Sequence, residues 1–296
     1  MGLDARGARI PTGVSDFDSI LDGGLPPGSV VLLLGDVGSG FVEFAYTSAS
    51  KISLAMERPA SIRYLMGDKA AQGKLPQKIH YVTFFKPKEE ILQEILFSFN
   101  DEFHDAFEKH VIFTDFSEYY FEKSVVPASW IGTDGGLLRR KGKGLINSLV
   151  EFLDKEADGS FIIIDSLTDL FLTESLDVMD IVAMLRGMQR MAKKWNGVIY
   201  ILLTEGILEK RKEQMVIDSV DGVLVFEWSR NNSSSKRQRY IYISSFMVSS
   251  FLPVPVPVFF EQFNSVYPLR ALPTVQRWND EPDRRPLLRR KLSAVK

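Results

Sequence analysis

The apolar run Val30-Val31-Leu32-Leu33-Leu34 ends in Gly35-Asp36-Val37-Gly38-Ser39-Gly40. Apolar residues then recur with helical spacing at Phe41, Phe44, Ala45, Ala49, Ile52 and Ala55. A buried strand, a glycine-rich turn and a helix in that order predict a βα unit with its loop at the end of a sheet. The glycines have the spacing of G-x-x-x-x-G-K-[ST], a loop whose backbone N–H groups cradle phosphates. Phe41 stands at the lysine position, and Val42 at that of the Ser or Thr that holds Mg²⁺. Glu43 follows; a carboxylate in a first helical turn suits the helix dipole but repels an arriving phosphate. Two lost charge-assisted contacts at ~1.5–3 kcal/mol each amount to ~3–6 kcal/mol, or about 10²–10⁴ in affinity. The simplest use for Phe41 and Val42 is to fill a core under the loop.

The rest of the chain repeats the alternation. Strands are predicted at Ser29–Leu34, Lys78–Phe84, Val111–Thr114, Phe161–Asp165 and Gly197–Thr204, and helices at Phe41–Met56, Lys88–His110, Leu145–Ala157 and Met179–Trp195. A short helix at Phe17–Leu21 and the turn Gly23-Gly24-Leu25-Pro26-Pro27-Gly28 precede the first strand. Asp221–Trp228 and Arg239–Ser245 flank a polar stretch and read as a hairpin. The Val/Pro alternation of Phe251–Phe260 confines that segment to a sheet edge or an extended surface. The predicted class is α/β: a mainly parallel sheet between helical layers, with a C-terminal antiparallel extension. Residues 1–9 read as a polar arm, 10–268 as one domain and 269–296 as a flexible basic tail. The irregular segment from Asp115 to Gly144, with Arg139, Arg140, Lys141 and Lys143, is longer than an ordinary connection.

Charge and composition narrow the function. Of 296 residues none is cysteine, which excludes disulfides and thiolate metal sites and fits a reducing cytoplasm. No apolar run approaches the ~20 residues of a membrane span. From Arg270 onward eight Lys and Arg face three Asp and Glu, leaving 28 against 35 in the body, a net −7. An acidic body is a poor match for a nucleic-acid duplex, so any such contact is expected through the tail, around Arg284-Arg285-Pro286-Leu287-Leu288-Arg289-Arg290-Lys291. His80, His104 and His110 lack metal-ligand spacing and read as satisfied edge or surface residues.

Five segments in order carry a family resemblance: Arg9-Ile10-Pro11-Thr12-Gly13-Val14, Leu21 to Gly28, Gly35 to Gly40, Phe161-Ile162-Ile163-Ile164-Asp165-Ser166-Leu167, and Ser219-Val220-Asp221-Gly222-Val223. Over roughly residues 9–268 the chain resembles the RecA/KaiC-like P-loop ATPases, in particular the KaiC-like branch. The resemblance implies a three-layer RecA-like fold and an oligomer with ATP between subunits. It places the phosphate loop at Gly35, Gly38, Ser39, Gly40, Phe41 and Val42, the Walker B strand end at Asp165 and Ser166, and a nucleotide sensor at Thr204 and Glu205. It also expects a catalytic Glu pair after the second strand, where Phe85 and Lys86 stand; Glu89 and Glu90 lie further on as helix-cap acids or a displaced base. A Lys-x-Arg pair on the last hairpin strand falls on Ser245 and Met247. Of these four sets only the Walker B acid remains.

The expectation is therefore a cytoplasmic pseudo-ATPase acting as a regulatory or scaffold subunit. Its partners would be proteins or an active paralogue, in a homo- or hetero-oligomer away from the membrane. No catalytic residue, metal or cofactor is assigned, with weak ATP and Mg²⁺ binding left open. The rival readings are a nucleotide- or anion-sensing module that does not hydrolyse, and a DNA-binding accessory.

Overall fold

The computed structural model describes residues 8–122, 124–127, 130, 144–173, 176–228, 239–246, 255–256, 258–259 and 270–271. Its centre is a sheet of β1 (Ser29–Gly35), β2 (Lys78–Thr83), β3 (Val111–Asp115), β4 (Ser160–Asp165), β5 (Val198–Thr204), β6 (Gly222–Trp228), β7 (Arg239–Phe246) and β8 (Pro255–Val256). The order is β3-β2-β4-β5-β1-β6-β7-β8. Strands β3 through β6 in that order run parallel, whereas β7 and β8 pair antiparallel.

The parallel strands are buried on both faces, so they read as unbroken Val/Ile/Leu runs rather than as alternation. In β1, Val31 and Leu33 enter one apolar layer while Val30, Leu32 and Leu34 enter the other. The first layer is covered by α1 (Ser15–Ile20), α2 (Phe41–Glu57), α3 (Ile62–Ala70), α4 (Lys88–Ser98) and α5 (Asp101–His110). The second is covered by α6 (Ser117–Phe121), α7 (Leu145–Glu156), α8 (Leu167–Leu172), α9 (Val178–Trp195) and α10 (Lys210–Ile217). This is the three-layer RecA-like arrangement, with the antiparallel extension at β7 and β8.

One expectation changes, and two features go beyond the sequence reading. The single helix predicted over Lys88–His110 is two: Phe99 is extended, and the Asn100 side chain caps α5 by accepting from the Phe103 N–H at 2.9 Å. The apolar spacing of α2 predicts one buried stripe, yet nearly every residue from Phe41 to Ala55 is buried. Its small Ala and Ser residues let neighbouring helices close over the outer side: Phe103 and Ala106 of α5 pack on Leu54, and Phe107 meets Tyr46 edge-on at 6.0 Å. Helix α3 answers to no periodic segment in the sequence; Gly67, at φ 88°, breaks it internally.

The resemblance segments turn out to be clamps. Asp18 of α1 is fully buried and accepts from the Thr12 N–H and hydroxyl, each at 2.7 Å, and from the Gly13 N–H at 3.1 Å. Burial pushes its carboxyl up to about 7, against those hydrogen bonds, and pushes the buried Lys51 ammonium down to about 8. Asp221 accepts from the Val30 N–H and from Lys193, each at 2.9 Å, tying the start of β6 to β1.

The predicted tail boundary is crossed by a short pairing. β9 (Val258–Phe259) pairs antiparallel with β10 (Arg270–Ala271), just past residue 268. The Arg139–Lys143 cluster, Met247 and the tail beyond Ala271 lie outside the described residues. Among the described residues, no helix is long and apolar enough to cross a membrane.

Candidate functional site

The loop from Gly35 to Gly40 sits at the C-terminal end of β1, where open parallel sheets place ligands. Gly38 and Gly40 have φ of 75° and 105°, a turn that side chains rarely adopt, and Gly40 opens α2. Gly35 is needed for space: a Cβ there would lie 2.4 Å from the Ser39 hydroxyl and 2.9 Å from Phe226. The glycines thus hold a tight strand-to-helix turn.

The side chains at the lysine and Mg²⁺-ligand positions are committed elsewhere. Phe41 is only 7% exposed; its ring lies 6.4 Å from that of Phe226 and belongs to the core beneath the loop. Val42 packs against the same core, as expected for apolar residues at these positions. Glu43 does not stand alone at the helix start. The Arg239 guanidinium is 3.7 Å from its carboxylate and lies over the Trp228 ring at 4.8 Å. Trp228 itself approaches the Gly38 turn. An aromatic side chain and an ion pair therefore flank the helix start. Nothing in the sequence marks Trp228 or Arg239 as neighbours of the loop; only the β6–β7 register brings them there.

The remaining expected residues lie on the same sheet end. Gly35 pairs in register with Thr204, and the Glu205 N–H donates to the Gly35 carbonyl at 2.9 Å. The Thr204 N–H donates to the Thr168 hydroxyl at 2.9 Å, fastening β5 to α8. Ser166 caps α8 in a reciprocal pair with Asp169, its hydroxyl donating to that carboxylate at 2.6 Å. The Thr204 and Ser166 hydroxyls thus bond within the fold, and Glu205 joins it through its main-chain N–H.

Asp165 ends β4, two strands from β1. It accepts from the Tyr81 hydroxyl at 2.5 Å. Around it, Tyr46 donates to Glu94 at 2.8 Å and Lys86 pairs with Glu94 at 2.6 Å. Burial pushes Asp165 up to about 6, while the Tyr81 hydrogen bond and the Lys86 charge pull the other way. Burial would lower Lys86, but Glu94 through hydrogen bond and charge, with Asp165 and Glu90 behind it, holds it above its usual value. Phe85 is half-exposed, and Glu89 and Glu90 lie exposed on the first turn of α4. A lysine–glutamate pair thus follows β2 where the resemblance expects a water-activating carboxylate pair. Tyr46, Tyr81 and Glu94 have no motif to announce them; only strand register and helix packing assemble them.

Ser245 lies in β7 opposite Val223, so the hairpin position expected to carry the first cation of the Lys-x-Arg pair is part of the sheet. His104 and His110 contact Asp105 and Glu57 at 3.1 and 3.0 Å. His80 departs from expectation: it is buried, with no hydrogen-bond partner for either ring nitrogen among the described residues. No cluster of three or more potential metal-ligating His, Asp or Glu occurs among the described residues.

With a glycine loop after β1, an acid at the end of β4 and β5 between them, the layers and strand order form a KaiC/RecA-like fold. The chain is similar to the crystal structure of a KaiC-like protein from the hyperthermophilic archaeon Pyrococcus horikoshii, with a TM-score of 0.54 and 18% identity over 84% of this chain and 94% of the other. That likeness is one of fold. Comparison with family models and with curated protein sequences gives no match.

Proposed function

We infer that this chain is a KaiC-like domain that has given up phosphate chemistry. In this reading it serves as a regulatory or scaffold subunit through protein interfaces, in a homo-oligomer or beside an active paralogue. The observation that carries the inference is the burial of Phe41: the side chain at the phosphate-contacting position is built into the core instead of reaching out of the loop. Lys86 in place of a general base adds to it, since a missing base alone costs about 10²–10⁴ in rate. Exposed Val37, Phe85, Leu172 and Ile207 all lie on segments that follow the C-terminal ends of the parallel strands. Apolar residues on the face that would hold a charged ligand suit a protein contact better than a nucleotide.

A second reading is favoured by one feature, the fully buried Ser39 hydroxyl, which has no hydrogen-bond partner among the described residues and lies beside the glycine turn. It makes the loop a sensor for a small anion without hydrolysis.

The scaffold reading is tested by isolating the native protein from its own cells and weighing the intact complex. The expected result is a defined oligomer or a stoichiometric protein partner. A monomer with no associated protein at cellular concentration contradicts it.

A further inference from the structure

His80 stands on β2, on the face turned toward α7, and is 2% exposed. Neither Nδ1 nor Nε2 has a hydrogen-bond partner among the described residues. The Glu156 carboxylate is 3.9 Å from Nε2, beyond hydrogen-bond range. Burial holds the imidazole below its ordinary value, with Glu156 opposing and Lys78 adding to the effect. At neutral pH the ring is thus uncharged, with one N–H to give and one lone pair to receive. Buried polar atoms left unmet are rare and call for a partner.

The ring borders a cavity of about 440 Å³, within the range of small-molecule sites. The cavity follows from the fold. α7 lays Leu145, Leu149 and Leu153 into the core, and its flank with Ser148 and Phe152 overhangs the edge strand β3. Register places Ile112 opposite His80 and Thr114 opposite Val82, so both share the floor with the imidazole. Phe116 and Tyr119 also line the space, and the Phe152 ring meets His80 edge-on at 5.5 Å. Glu151, Lys155 and Glu156 add charged groups to the lining, and Glu156 is already held by Lys78 at 2.8 Å. With Lys155 and Lys78 against Glu151 and Glu156, the charges around the space balance, which favours an uncharged molecule.

We propose that this cavity binds a small uncharged heteroaromatic molecule. Its ring lies against the aromatic wall, and either its N–H or its ring lone pair meets one nitrogen of His80. The site is on β2 and β3 at the sheet edge, with β4 and β5 between it and the strand of the glycine loop. It stands whether or not the loop has lost its nucleotide.

The test uses the full-length chain and the ring ¹⁵N resonances of its three histidines. Benzimidazole, which carries one N–H and one ring lone pair, is the probe; indane has a similar outline and no polar atom. Benzimidazole is expected to shift the His80 signals saturably at millimolar concentration or below, leaving those of His104 and His110 in place. Indane should bind about tenfold more weakly, the ratio expected for one lost hydrogen bond. Ser148→Trp, which fills the cavity from the helix side, should abolish the shift, and Thr114→Trp does the same from the strand side. The proposal is overturned if benzimidazole produces no saturable His80 shift up to its solubility limit. Equal affinity for indane also overturns it, as does an undiminished shift in a folded tryptophan variant. The comparison of the two probes needs no variant.

Discussion

A chain carrying Phe41→Lys together with Val42→Thr, which rewrites the loop as a full phosphate-binding motif, is expected to lose ~2–4 kcal/mol of stability and gain no ATP turnover. Removing a buried phenylalanine ring costs ~3–5 kcal/mol when alanine replaces it. A lysine stem refills part of the space and its head reaches solvent, which brings the loss below that range. The vacancy opens beside Phe226 and Gly35, and neither can swing in to fill it without disturbing β6 or the loop. A thermal scan should show a melting temperature roughly 5–15 °C lower. Phosphate release should stay at background, because Lys86 is paired to Glu94 where a water-activating carboxylate is required and Arg239 remains on Glu43. An unchanged melting temperature with new turnover would mean that the chemistry is only two substitutions away, and that the chain has not given it up.

Gly24→Ala is expected to cost ~4 kcal/mol or more, enough to leave little folded protein. Gly24 has φ 124°, where a side chain is strained in any surroundings. A Cβ there would also lie 2.2 Å from the Ile10 carbonyl oxygen and 2.8 Å from the Pro11 Cα. Both obstacles are backbone, so no rotamer change relieves them. They are also held in place, because Ile10 and Leu25 exchange hydrogen bonds of 2.9 and 2.8 Å across the turn. Gly187→Ala is the matching control. That glycine lies inside α9 with nothing within 4 Å of its Cβ position, so alanine should stabilise by ~0.5–1 kcal/mol. Urea denaturation of the two variants against the parent measures both. A Gly24→Ala protein of normal stability would show that the turn is not fixed by Ile10.

Most of the fold is legible in the sequence because parallel strands bury both faces and so announce themselves as apolar runs. Val30–Leu34, Phe161–Ile164 and Val198–Leu203 all fall where those runs place them. Signals carried by single residues are harder to read. Asn100 ends one helix pattern and begins another without disturbing the apolar period, so α4 and α5 read as one helix. The burial of α2 on its outer side depends on α5, which lies more than 40 residues further along the chain. Local periodicity does not record such a partner. The site divides in the same way. The glycines of the loop and Asp165 are local motifs, visible in the sequence. The Tyr46–Glu94–Lys86 and Tyr81–Asp165 contacts, like Trp228 and Arg239 at the loop, exist only through strand order and register. The motifs at Arg9–Val14 and Asp221 are legible as resemblance, but their work is to clamp α1, through Asp18, and β1.

The most direct test of whether phosphate chemistry is lost is calorimetric titration of the native full-length chain with ATP and Mg²⁺, followed by a turnover assay on the same sample. A pseudo-ATPase should give a flat titration at micromolar nucleotide and phosphate release at background. Saturable ATP binding together with turnover that Asp165→Ala abolishes would contradict that reading.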